Sequence, residues 1–127
     1  MDLAGAHEFV DAWLKAWNDH DLDRVLGHFT DDVVFTSPVA AQLLAGSDGV
    51  ISGKAALRHY WGEGLRRIPD LHFEVVGVYL GIGVVVINYR NQAGNFVNEV
   101  LGFDGSLVCW GHGTYLGGGA NPAGATP

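Results

Sequence analysis

Cysteine occurs once in this chain of 127 residues, at Cys109, so neither an intrachain disulfide nor a cysteine-based zinc site is available to it. Basic residues are also few. Seven Lys and Arg face fourteen Asp and Glu, a net charge of -7, and no basic cluster exists beyond Arg66-Arg67. Nucleic acid and anionic membrane surfaces are poor partners for such a chain. Charged residues make up only 17% against 48% hydrophobic, which excludes disorder over most of the length. No apolar run approaches the roughly 20 residues of a membrane-spanning helix. The first residues include Asp2, Glu8 and Asp11 and no basic stretch ahead of an apolar one, so no signal peptide is expected and the expected location is cytoplasmic. His7, His20, His28 and His72 lack metal-ligand spacing and no His-x-x-x-His pair occurs, so no metal or redox cofactor is expected. The glycines of Gly81-Ile82-Gly83 and Gly117-Gly118-Gly119 do not form a phosphate loop ahead of a helix, and no internal repeat is visible.

What the chain does have is period. Phe9, Val10, Trp13, Leu14 and Trp17 recur at helical spacing from Ala6 to Trp17, and Asn18-Asp19-His20-Asp21 breaks that helix. Asp21 caps a second helix carrying Leu22, Val25, Leu26 and Phe29, ended by Asp31-Asp32. Val33 to Thr36 reads as a short strand stopped by Pro38, and residues 39–51 as a long loop with a short strand near its end. Ser52 caps a third helix through Leu57, Tyr60, Trp61 and Leu65, closed by Pro69. Beyond Pro69 the period becomes two, and residues 71–80, 82–92, 95–103 and 106–116 read as four long strands. Three helices followed by a curved antiparallel meander predict an α+β fold whose helices fill the concave side of the sheet. One domain over residues 1–116 is expected, with a disordered Gly/Pro-rich tail at 117–127.

Ala93-Gly94 and Asp104-Gly105 mark two tight turns. Taken as two-residue turns, they place Gln92 opposite Asn95 and Phe103 opposite Ser106, which sets Asn88 and Trp110 on either side of Glu99. Alternation then gives one face to Val84, Val86, Asn88, Arg90, Val97, Glu99, Leu101, Val108, Trp110, His112 and Thr114. That face, apolar at one end and polar at the other, is the expected wall of a small-molecule cavity. Val76, Val78, Val85, Ile87, Tyr89, Phe96, Val100, Leu107, Cys109 and Tyr115 fall on the other face. It is too apolar to meet water and no further helix covers it, so a homodimer packed sheet to sheet is expected.

Four segments, Asn18-Asp19-His20-Asp21-Leu22-Asp23, His28-Phe29-Thr30-Asp31-Asp32-Val33-Val34-Phe35, Ser52-Gly53-Lys54-Ala55-Ala56-Leu57 and the strand pair around Phe103-Asp104-Gly105, occur in an informative order. Over residues 6–116 that order resembles the nuclear transport factor two-like superfamily, particularly its SnoaL-like and ketosteroid-isomerase-like small proteins. The resemblance implies a cone-shaped, half-open barrel around a deep pocket, commonly a dimer. It leaves the chemistry open, since the fold hosts isomerases, cyclases, dehydratases, epoxide hydrolases and non-catalytic binders. The isomerase pattern puts the donor to the substrate oxygen at Trp13, the protonated acid of the oxyanion hole at Glu99, and the proton-shuttling position at Ser37, where serine lacks basicity.

Glu99 is therefore the leading acid–base candidate, because burial beside apolar residues raises a carboxyl pKa. Its structural alternative is an ion pair with Arg90 or a hydrogen bond to Asn88. His112 is the candidate second titrating group, or else a rim histidine bonded to water or backbone. Asn88 and Trp13 are expected to orient a substrate oxygen, Tyr60 to supply a phenolic donor, and Arg90 to sit at the cavity mouth. Ser37, Trp61, Val97, Leu101 and Trp110 complete the expected ligand-binding set. The function expected is cofactor-independent acid–base chemistry, of isomerase, cyclase, dehydratase or hydratase type, on a small apolar organic molecule. A non-catalytic ligand-binding or assembly module, and a transport-type protein adaptor, are the alternatives.

Overall fold

The Asp2 carboxylate accepts the Gly5 N–H at 2.8 Å and so starts α1 (Leu3–Asn18) in the computed structural model, which describes residues 1–117. This helix buries Phe9, Val10, Trp13, Ala16 and Trp17, the apolar face its spacing predicts. It ends at the expected break, where His20 takes left-handed backbone with φ 57°. The side chain of Asn18 then holds the backbone of Phe73 by two bonds: its amide donates to the Phe73 carbonyl at 3.0 Å and its carbonyl accepts the Phe73 N–H at 2.8 Å. His20 Nε2 lies 2.8 Å from the Leu71 carbonyl. Residues 71–73 are thus tied to the end of α1, which is why the first meander strand begins at Glu74 and not at Leu71.

Asp21 caps α2 (Leu22–Leu26) through the Arg24 N–H at 3.2 Å. The helix stops at Gly27, and β1 (Phe29–Thr36) begins four residues earlier than expected, with Asp31 and Asp32 as exposed strand residues. The expected loop after it contains a further helix, α3 (Pro38–Leu43), started by Ser37, whose Oγ accepts the Val39 N–H at 3.2 Å, with Pro38 in the first turn. After β2 (Val50–Ser52), α4 (Lys54–Arg67) starts from Gly53 at φ 92° without a side-chain cap, so Ser52 does not serve that role. Four strands follow: β3 (Glu74–Gly81), β4 (Val84–Arg90), β5 (Phe96–Asp104) and β6 (Leu107–Tyr115).

The strands form one six-stranded sheet in the order β2-β1-β6-β5-β4-β3, parallel between β1 and β6 and antiparallel elsewhere. The fold is α+β: the sheet curves without closing into a barrel, and the helices pack on one side of it. Trp13, Trp17, Trp61, Phe29, Phe35 and Phe73 fill the space between the layers. The tail expected at 117–127 lies outside the described residues beyond Gly117.

Two loop geometries overturn the expected register. At the first, Asn91 pairs with Asn95, and Gln92-Ala93-Gly94 form a three-residue loop with Gly94 at φ 83°. Asn91 Oδ1 accepts the N–H groups of Ala93 and Asn95 at 3.1 and 3.0 Å, which holds the wider loop. Glu99 consequently pairs with Ile87, and Asn88 with Asn98. At the second, Asp104 pairs with Leu107, so the turn residues are Gly105-Ser106, and a bulge at Cys109 then inserts one more residue before Trp110. Glu99 therefore faces Gly113 and not Trp110. The first loop displaces the pairing by one residue; the second turn displaces it by two and the Cys109 bulge makes that three, so beyond each irregularity the affected side chains fall on the opposite face.

Candidate functional site

Glu99 sits between Val97 and Leu101 on the inner face of β5, and only 2% of it is exposed. Its inner-face neighbours are those the parity change delivers: Val85, Ile87 and Tyr89 from β4, with Gly111, Gly113 and Tyr115 from β6. The Tyr89 hydroxyl donates to Glu99 Oε1 at 3.2 Å. No Lys, Arg or His belongs to the buried set among the described residues. Burial without a cation penalises the anion, and the Tyr89 hydrogen bond offsets only part of this, so the Glu99 carboxyl is pushed up to about 8. Burial likewise raises Tyr60, Tyr89 and Tyr115 above the ordinary phenol range, and the charge of Glu99 adds to the rise at all three. These four groups share one low-dielectric environment.

Three further expected residues meet this cluster. Tyr60, on α4, donates from its hydroxyl to Ser37 Oγ at 3.3 Å, and Ser37 Oγ lies 3.3 Å from the Tyr115 hydroxyl. The Trp13 ring packs 5.5 Å from the Tyr89 ring, and its buried indole N–H has no hydrogen-bond partner among the described residues. Trp61 belongs instead to an adjoining aromatic cluster with Trp17, Phe29 and Phe35.

Four expected site residues lie on the other face. Asn88 donates to Asn98 Oδ1 at 2.8 Å on the outer face, and Arg90 lays its guanidinium 5.1 Å from the Phe96 ring centre. Trp110 covers the bare backbone of Gly102, where an added Cβ would fall inside its indole. Exposed His112 holds Thr36 Oγ1 through Nδ1 at 2.7 Å. None of the four reaches Glu99, because the Asn91 loop turns the first pair outward and the Cys109 bulge the second. Conversely, Tyr89 and Tyr115, expected outside, are inside. An Asn followed by Gln-Ala-Gly-Asn was the available signal: it reads as a three-residue loop with glycine in the left-handed position, and counting from it puts Tyr89 beside Glu99.

Two cavities open elsewhere. One of about 260 Å³ lies at the Tyr115 end of the sheet, lined by Asn88, Phe96, Val97, Asn98, Thr114 and Tyr115 among others. The second, about 340 Å³, is lined by Gly5, Glu8, Phe9, Ala12, His28 and Ser106 among others. Burial and the nearby Arg24 hold His28 below the usual histidine range. Glu99 lines neither cavity, though Val97 and Tyr115 belong both to the first and to the inner face.

The model of the SnoaL-like domain matches residues 10–106. A SnoaL-like protein of unknown function from Burkholderia thailandensis is 38% identical, with a TM-score of 0.87, over 91% of this chain and 98% of that one. A candidate hydroxylase from Streptomyces galilaeus is 20% identical over 91% of both chains, with a TM-score of 0.70. A candidate polyketide cyclase from Sinorhizobium meliloti is 11% identical over 84% of this chain and 94% of that one, with a TM-score of 0.67. No curated protein matches the chain.

Proposed function

We propose a function from one established premise: this chain belongs to the SnoaL-like domain family. On our reading it is an enzyme acting by acid–base chemistry on a small, largely apolar organic molecule, with no metal or redox cofactor. Isomerisation, cyclisation, dehydration and hydration are the reaction types that a single proton-transferring carboxyl serves. One observation carries this reading. The Glu99 carboxyl is buried with a phenol and, among the described residues, without a buried cation, and its pKa of about 8 keeps it protonated at neutral pH while leaving it able to cycle. A neutral carboxylic acid donates to a substrate oxygen where a carboxylate cannot. Trp13 adds an indole N–H, unpartnered among the described residues, next to Tyr89. The fold relatives named as candidate cyclase and hydroxylase make an organic ring compound a reasonable first substrate class.

The test is turnover of a panel of ketones, epoxides and enols as a function of pH. The acid form is the active one in this reading, so the rate falls as pH rises through about 8. Glu99→Gln lowers it by roughly 10²- to 10⁴-fold, the range of general acid–base catalysis. Full turnover in that variant removes Glu99 from the chemistry.

A binding module without catalysis is the second reading, and Ser37 favours it. The position that the isomerase pattern gives to a base holds a serine engaged with Val39, Tyr60 and Tyr115. A binder saturates with ligand and turns over none of the panel. In either reading we assign the protein to the cytoplasm and to a homodimer formed through the outer sheet face. Val34, Val50, Tyr79 and Trp110 are 36–63% exposed on that face, and among the described residues no helix is long and apolar enough to cross a membrane.

A further inference from the structure

The larger cavity lies apart from Glu99, at the end of the sheet where Asp104 pairs with Leu107. Gly5, Glu8, Phe9 and Ala12 of α1 line it from the i, i+3, i+4 and i+7 positions of one helix side. His28, between α2 and β1, and Ser106, in the β5–β6 turn, extend the lining. Its volume of about 340 Å³ enters the range of small-ligand sites, roughly 300–1,000 Å³, which the 260 Å³ cavity at Tyr115 does not. The Phe9 ring is fixed by edge-to-face packing, 5.2 Å from the His28 ring and 5.0 Å from the Phe103 ring between centres.

The polar groups on this lining are mainly acceptors. Glu8 takes part in no ion pair among the described residues. The lining includes no Lys or Arg, and Arg24, which acts on His28, is itself held by Asp19 and Asp21. Among the described residues the His28 ring nitrogens make no hydrogen bond, in contrast to those of His20 and His112. Burial and the charge of Arg24 keep that ring neutral at pH 7, and a neutral imidazole offers one nitrogen as acceptor. A carboxylate and an acceptor nitrogen beside apolar surface suit a ligand that brings both hydrogens and positive charge. An anion of the same shape meets repulsion from Glu8 instead.

We propose that this cavity binds a small organic ammonium: the charged nitrogen donates to the Glu8 carboxylate and to a His28 ring nitrogen, and the hydrocarbon part lies against Phe9 and Ala12. The site stands independently of the acid–base reading, because Glu99 lines no part of it.

Amide-resolved NMR titration of the full chain at pH 7 with 2-phenylethylamine and 3-phenylpropionate tests it, because the two probes share a ring and carry opposite charge. The amine is expected to give saturable shifts centred on the amides of Gly5, Phe9, Ala12, His28 and Ser106, and to bind about tenfold or more tightly than the acid. Glu8→Gln should weaken the amine about tenfold, the loss of one charge-assisted hydrogen bond. Asp11→Asn removes the same charge from an exposed position of α1 outside the lining. At physiological salt, where screening sets in within about 8 Å, that control should leave the affinity nearly unchanged. His28→Phe keeps a ring against Phe9, removes the acceptor and should weaken the amine about fivefold. Should it fail to fold, the two exposed helix variants decide alone. The proposal is overturned if the amine gives no saturable shifts or shifts centred elsewhere, or if 3-phenylpropionate binds equally or more tightly. Unchanged affinity in either lining variant, or equal losses in Glu8→Gln and Asp11→Asn, overturns it as well, the last because the attraction is then the diffuse field of an acidic chain.

Discussion

Glu99 leaves a thermodynamic signature whether or not it is catalytic. Its pKa rises from an ordinary 4.5 to about 8 in the folded protein. Between those values the folded chain holds a proton that the unfolded chain has released, so this contribution is complete below pH 4.5 and is lost as pH climbs through 8. Urea denaturation at pH 5 and pH 7.5 should show stability falling by up to about 1.4 kcal/mol per pH unit from this group. Glu99→Gln should flatten that fall. A second single-residue test concerns Gly102, whose missing side chain is what allows Trp110 to lie flat on the strand. Gly102→Ala expels the indole, red-shifts the emission of that tryptophan and costs about 1–3 kcal/mol, as overpacking does. That Glu99 faces inward was legible from its setting between Val97 and Leu101, since alternation along one strand is a local property. Its partners were not, because they depend on how neighbouring strands are offset.

The elements themselves were readable from period, and the departures have specific causes. Ser37-Pro38 is a helix start, a polar cap followed by a residue with a preset φ, and it begins α3 over Val39-Ala40-Ala41-Gln42-Leu43, ahead of the loop residues Gly46-Ser47-Asp48-Gly49. Leu71 to Phe73 has strand composition, yet Asn18 and His20 hold its backbone groups before a neighbouring strand can. The decisive element is the β4–β5 loop. Asn91→Ala deletes the acceptor for two loop N–H groups and should cost about 1–2 kcal/mol in chemical denaturation. Amide exchange at Ala93 and Asn95 should rise in that variant while protection in α1 is retained.

For the whole molecule, the reason to expect a dimer survives although the residues behind it changed. Val85, Ile87, Tyr89 and Tyr115 belong to the interior or its rim, and Val34, Tyr79, Val86 and Trp110 join the expected Val100 on the outer surface. That surface remains apolar at its centre, with the Asn88–Asn98 pair and Thr114 toward one end. Sedimentation equilibrium at micromolar concentration should give twice the chain mass for the wild type and the single-chain mass for a Tyr79→Asp, Trp110→Asp variant. A monomeric wild type would refute the assignment.

The sequence by itself determined the class of elements, the α+β layering and the inward carboxyl at position 99, because periodicity and burial of apolar faces act over a few residues at a time. Tertiary structure alone decided what that carboxyl meets. A three-residue loop held by Asn91 and one extra residue at Cys109 reversed the faces of whole strand segments. Ser37, Tyr60 and Tyr115 come together only because a strand end, a helix and the last strand close on the same space. Convergence of this kind depends on packing between distant segments, which no local period encodes.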